Sequence, residues 1–554
     1  MAGILICLMA IVSCKGNSKK GEHIASTPEE LQKKVIEIIR TSIESNLADS
    51  YLMGDSTLIL KQSSISKLLY NKNNFTPLWN EGGQWIPASD SLYDFISKAQ
   101  LYGLFPEDYH IKSLNEIRKK FINDSLNKKD RKDATLWAKA DLLMSDAFVK
   151  ILKDIKLGRL PDDSISLRKD SVLSNDFFIQ QLESVKQIGL FNTVHKLEPD
   201  HPEYYLLKAC IKKFLDSADY KDFTKLPYPI KDIQKFNQLL QTRLYEGGFI
   251  SNDSTLADST ELATAVKKFQ QKKGLAVDGK VGEATVRMLN VNDRENFIRI
   301  AISMDKYKLL PEKMPSKYIW VNTSANYLQV FENEKVKISS KVICGKPKTR
   351  TPLLNSFVSI IITYPQWVPP PSIVSKEILP AVKKNPGYLA KKGFSLVDAK
   401  GEEVDPYTVD WSKYSKGIPY RVVQGSGDAN ALGIIKFHFD NKYSVYLHDT
   451  NQRYLFANAM RSLSHGCVRV QEWQNLAYYM LRNDNVASTD KNNSRIDSVK
   501  AWLQKKQKRN ISLKNKIPVY IRYVTCEGRD GKIVFYDDVY GEDRWLREKY
   551  FASK

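Results

Sequence analysis

The sequence predicts a multidomain α+β protein: a helical N-terminal part, a small helical module in the middle, and a β-rich C-terminal domain. Three observations predict it. At 554 residues the chain exceeds what a single hydrophobic core serves, since cores stop growing at about 250–300 residues. From Thr27 to Phe223 apolar residues recur every three or four positions, the period of a helix with one buried face. From Lys317 onward they alternate with polar residues in short runs bounded by turns, the period of half-buried strands. Hydrophobic residues at 42% and charged residues at 27% are an ordinary globular balance, which excludes a disordered or membrane-embedded chain. No repeat of 20 to 50 residues is visible.

The elements follow in order. "GILICLMAIVS" (Gly3 to Ser13) is apolar but too short for a bilayer, which takes about 20 helical residues. It has the character of a signal h-region, residues 1–13. The run ends in "IVSC", which resembles the lipobox of bacterial lipoproteins. That resemblance implies lipidation at Cys14, a polar tether over residues 14–28, export, and a periplasmic protein anchored in the outer membrane. The n-region "MA" departs from the pattern by lacking lysine and arginine, so the true start is expected slightly upstream.

Residues 29–225 are expected to form a helical domain, with "LQKKVIEIIRTSI" and "LWAKADLLMSDAFVKILKDI" as its clearest helices and "NNFTPLWN" as a turn-rich passage. Residues 226–292 form a second unit near the lower size limit for an independent core. Its "ELATAVKKFQQKKGLAVDGKVGEATVRMLN" resembles the three-helix peptidoglycan-binding module, matching at Ala265, Phe269, Gln270, Gly274, Asp278, Gly279, Gly282, Thr285, Leu289 and Asn290. Residues 293–554 form the third, opening on a connecting helix and continuing in strands. Within it residues 370–420, rich in Pro, Lys and Gly, are an insertion long enough to suggest a lid over a site.

Six cysteines lie without CxxC pairs, so neither a disulfide framework nor a structural zinc site is indicated. Cys210, Cys344 and Cys526 sit in apolar or strand contexts and are expected to be structural. Cys467 differs. It stands in "SHGCVRV", after a glycine that permits a tight turn, and nineteen residues beyond His448, which closes the strand "YSVYLH". A nucleophilic thiol needs a base or a positive field, backbone donors for an oxyanion, and access; this neighbourhood offers all three.

The segment "YLHDTNQRYLFANAMRSLSHGCVRV" resembles the catalytic segment of the L,D-transpeptidases, whose signature is a His followed by a Ser/Thr-His-Gly-Cys-x-Arg box. The order of parts resembles the large multidomain subgroup with a scaffold domain, a peptidoglycan-binding module and a capping insertion. The resemblance implies a β-rich catalytic domain and a cysteine-dependent acyltransferase that needs no cofactor and no metal. Cys467 would be the nucleophile and His448 the base. Ser464 and His465 would shape the turn, and the amides of Gly466 and Cys467 would form the oxyanion hole. Tyr446 would orient substrate or share in proton handling, and Arg469 would fix the box or a stem-peptide carboxylate. Asp449, placed where shorter relatives carry Gly, would meet substrate or raise the basicity of His448.

The implied reaction is attack on the third residue of a tetrapeptide stem, loss of terminal D-alanine, and transfer to a neighbouring amine as a 3-3 cross-link. Partners would be peptidoglycan stem peptides and glycan, with the membrane reached through the lipid anchor. Nucleic acid is not expected, although a formal charge of +21 suits any anionic polymer.

Three other readings stay open. Water could replace the amine, giving an L,D-carboxypeptidase or cross-link hydrolase; the box could be a relic in a noncatalytic wall-binding lipoprotein; or His438, His448, His465 and Cys467 could hold zinc, although no His-x3-His helix supports it.

Overall fold

A computed structural model describes residues 23–44, 51–52, 55–127, 131–251, 257–273, 275–484 and 494–554. The signal segment, Cys14, most of the tether and Gly274 lie outside the described residues. Two compact units emerge, one from residues up to 158 with 170–198, the other from residues 159–169 with 199–554.

The first unit is built around the helix Ala134–Lys156, which is buried on nearly every face. Helices Pro28–Glu44, Pro87–Ser97 and Asn175–Ile188 lay apolar stripes into the same core. Inside it Asp141 accepts from the Leu78 and Trp79 amides at 2.9 and 2.8 Å, Asn80 Nδ2 at 2.6 Å and Tyr70 Oη at 2.5 Å. The turn-rich "FTPLWN" passage is thus fixed by one buried carboxylate, which burial pushes up to about 6 against those donors.

In the second unit, residues 226–292 pack three helices, Ile233–Glu246, Ser259–Lys273 and Glu283–Leu289, on their own cluster of Phe236, Leu240, Leu244, Val266, Phe269 and Leu289. The polar motif residues serve that fold. Gln270 donates to Asp278 Oδ1 at 2.9 Å and to the Lys280 carbonyl at 3.0 Å, and accepts from the Gly279 amide at 2.9 Å. Asn290 exchanges two 2.8 Å bonds with the Leu226 backbone.

Two elements behave differently from their sequence reading. Helix Pro202–Ser217, which the periodicity grouped with the first domain, packs in the second unit against the hairpin Cys526–Phe535, with Phe214 and Phe535 rings 6.1 Å apart. Helix Asp293–Tyr307, expected as a connector, has ten buried residues from Asn296 to Tyr307 and is a core helix.

The strands of the main sheet are β1 (Lys317–Asn322), β2 (Tyr327–Glu332), β3 (Lys335–Gly345), β4 (Leu354–Thr363), β5 (Ile435–Phe439), β6 (Leu447–His448), β7 (Ser462–Ser464), β8 (Val468–Val470) and β9 (Arg509–Arg522). Their spatial order is β7-β3-β8-β6-β5-β4-β9-β1-β2, and β2 also pairs with β3, so the sheet closes on itself. Inward residues Ile319, Val321, Ile361, Phe437, Leu447, Val468 and Ile521 fill its core beneath helix Trp473–Asn483. Residues 371–422 form a separate small body with its own apolar cluster, including Ile378, Leu379, Leu389, Leu396 and Val422.

Candidate active site

Three neighbouring short strands bring the candidate residues to one face. Antiparallel pairing sets Lys436 of β5 opposite His448 of β6, and parallel pairing sets His448 opposite Arg469 of β8. Successive side chains alternate between faces. Phe437, Leu447 and Val468 therefore point into the core, while Lys436, His448 and Arg469 share the other face. One step along, the Val468 amide donates to the Tyr446 carbonyl at 3.1 Å. Tyr446 thus lies beside Cys467, and His448 is the diagonal neighbour by register.

The turn carrying Cys467 is locked by Ser464. Its hydroxyl accepts from the Gly466 amide at 3.1 Å and donates to the Cys467 carbonyl at 2.7 Å. Gly466 sits at φ +121, a backbone region open to glycine alone at low cost. The Ser464 carbonyl accepts in turn from the Lys346 amide at 2.9 Å and Thr349 Oγ1 at 3.0 Å. This corrects one expectation: the Gly466 amide is already engaged by Ser464, so it is not a free oxyanion donor. The Cys467 amide has no acceptor among the described residues.

Charge at the site is set by burial. His448 is 4% exposed and its Nδ1 has no hydrogen-bond partner. Burial, followed by the Arg469 charge, pulls the imidazole down to about 3 against the pull of the Asp449 and Leu432 backbones. Burial likewise raises the Cys467 thiol, opposed by Tyr446, Lys436 and Arg469. Among the described residues no hydrogen bond joins sulfur and imidazole; the thiol meets the Ser444 carbonyl at 3.9 Å and the Tyr446 hydroxyl. Both shifts favour the uncharged thiol and the uncharged imidazole over an ion pair. Tyr446 is held well above the ordinary phenol range by burial and by the adjacent sulfur, so it offers a proton and does not accept one. Its ring meets the His448 ring edge-on at 5.6 Å, and Lys436 Nζ sits 3.8 Å from its centroid.

The remaining residues divide. Arg469 is partly exposed and donates to Gln452 Oε1 at 2.9 Å. His465 is turned outward and bonds Glu377 of the insertion at 2.5 Å. Asp449 corrects a second expectation. It is fully buried, with its carboxylate held by Arg453 at 3.0 and 2.6 Å and by the Ile434 amide at 3.1 Å, which leaves it unavailable to substrate. Gly433, at φ +63, makes room for that carboxylate; a Cβ there would fall 2.3 Å from Asp449 Oδ2. His438 lies apart, 3.3 Å from the exposed Asp440. Among the described residues no three His, Cys, Asp or Glu side chains form a metal-binding cluster.

The family model described as the L,D-transpeptidase catalytic domain (YkuD) matches residues 316–487. Residues 316–487 are thus similar to the L,D-transpeptidase catalytic-domain family. A scaffold-domain model matches residues 66–210, and one described as "Putative peptidoglycan binding domain" matches residues 231–289. A Haemophilus influenzae protein named "Putative L,D-transpeptidase" is 33% identical over 248 residues, 45% of this chain and 48% of that protein. The match thus spans about half of that relative's length. Among solved structures, the chain is similar to an L,D-transpeptidase of Stackebrandtia nassauensis at 16% identity, covering 57% of this chain and 98% of that one, with TM-score 0.17. L,D-transpeptidase 1 of Mycobacterium tuberculosis is 12% identical over 38% of this chain and 64% of that one, with TM-score 0.14. At such TM-scores neither likeness carries weight.

Two residues of this domain escape the sequence reading: Lys436, which strand pairing sets opposite His448, and Thr349, which braces the box from a distant turn. Both depend on pairings between remote segments, for which the sequence holds no local signal. Trp367 stands at the neck of the insertion, its backbone exchanging bonds of 3.0 and 2.7 Å with Gln424.

Proposed function

We propose that the protein is a cysteine-dependent L,D-transpeptidase that joins peptidoglycan stem peptides by 3-3 links. The observation that carries this reading is the placement of Cys467 beside Tyr446, with His448 diagonal to it, on one sheet face. Because both groups rest neutral, proton transfer accompanies attack. The thiol proton passes to the His448 imidazole as sulfur bonds to the carbonyl carbon of the third stem residue. Tyr446 O–H and the Lys436 charge steady the developing thiolate, and the Cys467 amide donates to the carbonyl oxygen. The C–N bond to the terminal D-alanine then breaks, its amine takes the proton from imidazolium, and a thioester remains. An amine of a neighbouring stem attacks that thioester, gives its proton to His448, and releases the thiol. Arg469, which donates to the neutral Gln452, would meet a stem carboxylate.

Lipid anchoring of a periplasmic protein through Cys14 to the outer membrane completes the proposal, supported by the "IVSC" motif. Wall fragments incubated with the protein and analysed by mass spectrometry are expected to gain 3-3 cross-linked dimers. Cys467→Ala should yield none, and Cys467→Ala protein with undiminished cross-linking would refute the thiol's role. Products shortened by one residue without dimers would identify the hydrolytic alternative.

A further inference from the structure

We propose that a cavity of about 880 Å³ beside the Ser-His-Gly-Cys box binds the free carboxylate of a stem peptide through the buried guanidinium of Arg522. The inference rests on the stem-peptide reading above. The cavity reaches the box, since His465 and Gly466 belong to its lining. Its other walls are the segment 160–165, the 350–353 turn, Tyr443 with Val445, and the stretch from Tyr540 into helix Glu542–Tyr550. Its volume lies in the range of pockets that enclose small ligands, about 300–1,000 Å³.

Four basic or imidazole side chains line it, and three are already answered by acids. Lys306 is bound to Asp543 and Glu542 at 2.8 and 3.0 Å, Arg350 lies 3.5 Å from Glu542, and His465 is held by Glu377. Arg522 is 5% exposed and, among the described residues, has only neutral acceptors: the Leu354 and Ile521 carbonyls at 3.0 and 3.1 Å, and Asn355 Oδ1. Asp163, the acid whose charge it senses, makes no ion pair with it and accepts from the Ile165 amide at 2.9 Å. Burial lowers Arg522 only to about 10, so it stays cationic at neutral pH. A buried cation without a counter-charge is costly, and a carboxylate forms strong paired bonds with guanidinium at a dry site. Leu160, Leu309, Tyr443, Trp545 and Tyr550 supply apolar wall for a short peptide.

The carboxylate can come from the donor or the acceptor stem, and the experiment separates them. Calorimetry on Cys467→Ala protein compares a stem tetrapeptide with the same peptide carrying amidated carboxylates. The acid is expected to bind at least about tenfold more tightly, in line with a hydrogen bond to a charged group, and Arg522→Gln should remove that preference. Ser164→Trp, at an exposed wall position, should weaken both peptides and decides the matter if Arg522→Gln does not fold. Equal binding of acid and amide, an Arg522→Gln protein that keeps the preference, or unweakened binding by Ser164→Trp overturns the proposal. In Arg522→Gln protein with intact Cys467, loss of thioester assigns the site to the donor. A normal thioester with lost amine transfer assigns it to the acceptor, and both steps intact overturns it. A parent enzyme that forms no thioester at all would defeat the enzymatic reading and leave the binding comparison standing by itself.

Discussion

Cys467 and His448 take their protonation states from burial more than from each other. A solvated imidazole titrates near 6.5 and a solvated thiol near 8.5; here the first is pulled down to about 3 and the second pushed up. The rate of Cys467 alkylation by iodoacetamide should therefore keep climbing with pH past the ordinary thiol range. Lys436→Met should move the profile further up, because that ammonium is one of the groups favouring thiolate. A plateau at neutral pH would show an ion pair. His448 is already neutral, so kcat/KM for thioester formation should show no acid limb near 6.5; such a limb would mean the imidazole is solvated. The sequence displayed the residue types and the box, since Ser464, Gly466 and Cys467 are contiguous. It could not display that Ser464 occupies the Gly466 amide, nor that Asp449 is spent on Arg453, because both depend on side-chain direction.

The insertion is an element with its own core, joined to the sheet through the Trp367–Gln424 neck and a second contact at Glu377. Glu377 lies on a π-helical turn, Val374–Ile378, a form frequent at functional sites. Its 2.5 Å bond to His465 ties the insertion to the residue two before Cys467. Glu377→Ala should hasten proteolytic nicking between residues 374 and 418 and raise the alkylation rate of Cys467 a few-fold. Unchanged values would assign the placement of the insertion to the neck alone. Composition made the insertion legible: "PPPSIVSKEILPAVKKNPG" interrupts the strand pattern. Its sheet was not legible, because Phe394–Val397 pairs with Arg421–Gln424 across more than twenty intervening residues, and no local period records such a partner.

Charge belongs to the whole molecule. With 84 Lys and Arg against 63 Asp and Glu, the chain suits a carboxylate-bearing polymer, and retention on isolated sacculi should weaken steeply as salt screens it. Salt-independent retention would instead assign the binding to specific contacts in residues 226–292. In that module Gln270, Asp278 and Asn290 hold loops together, so ligand contacts must come from other side chains. At this scale the reach of periodicity also ended: it showed that residues 202–217 and 293–307 are helices and left open what they pack against.

The sequence by itself determined the kinds of element, their order, and the chemical types of the box, because these follow from local periods and from residues adjacent in the chain. Only the tertiary structure decided that Tyr446 lies beside the sulfur with His448 on the diagonal, that Asp449 is sealed away, and that Arg522 is left without a counter-charge. Strand register and burial cause all three, and both arise from contacts between segments far apart along the chain.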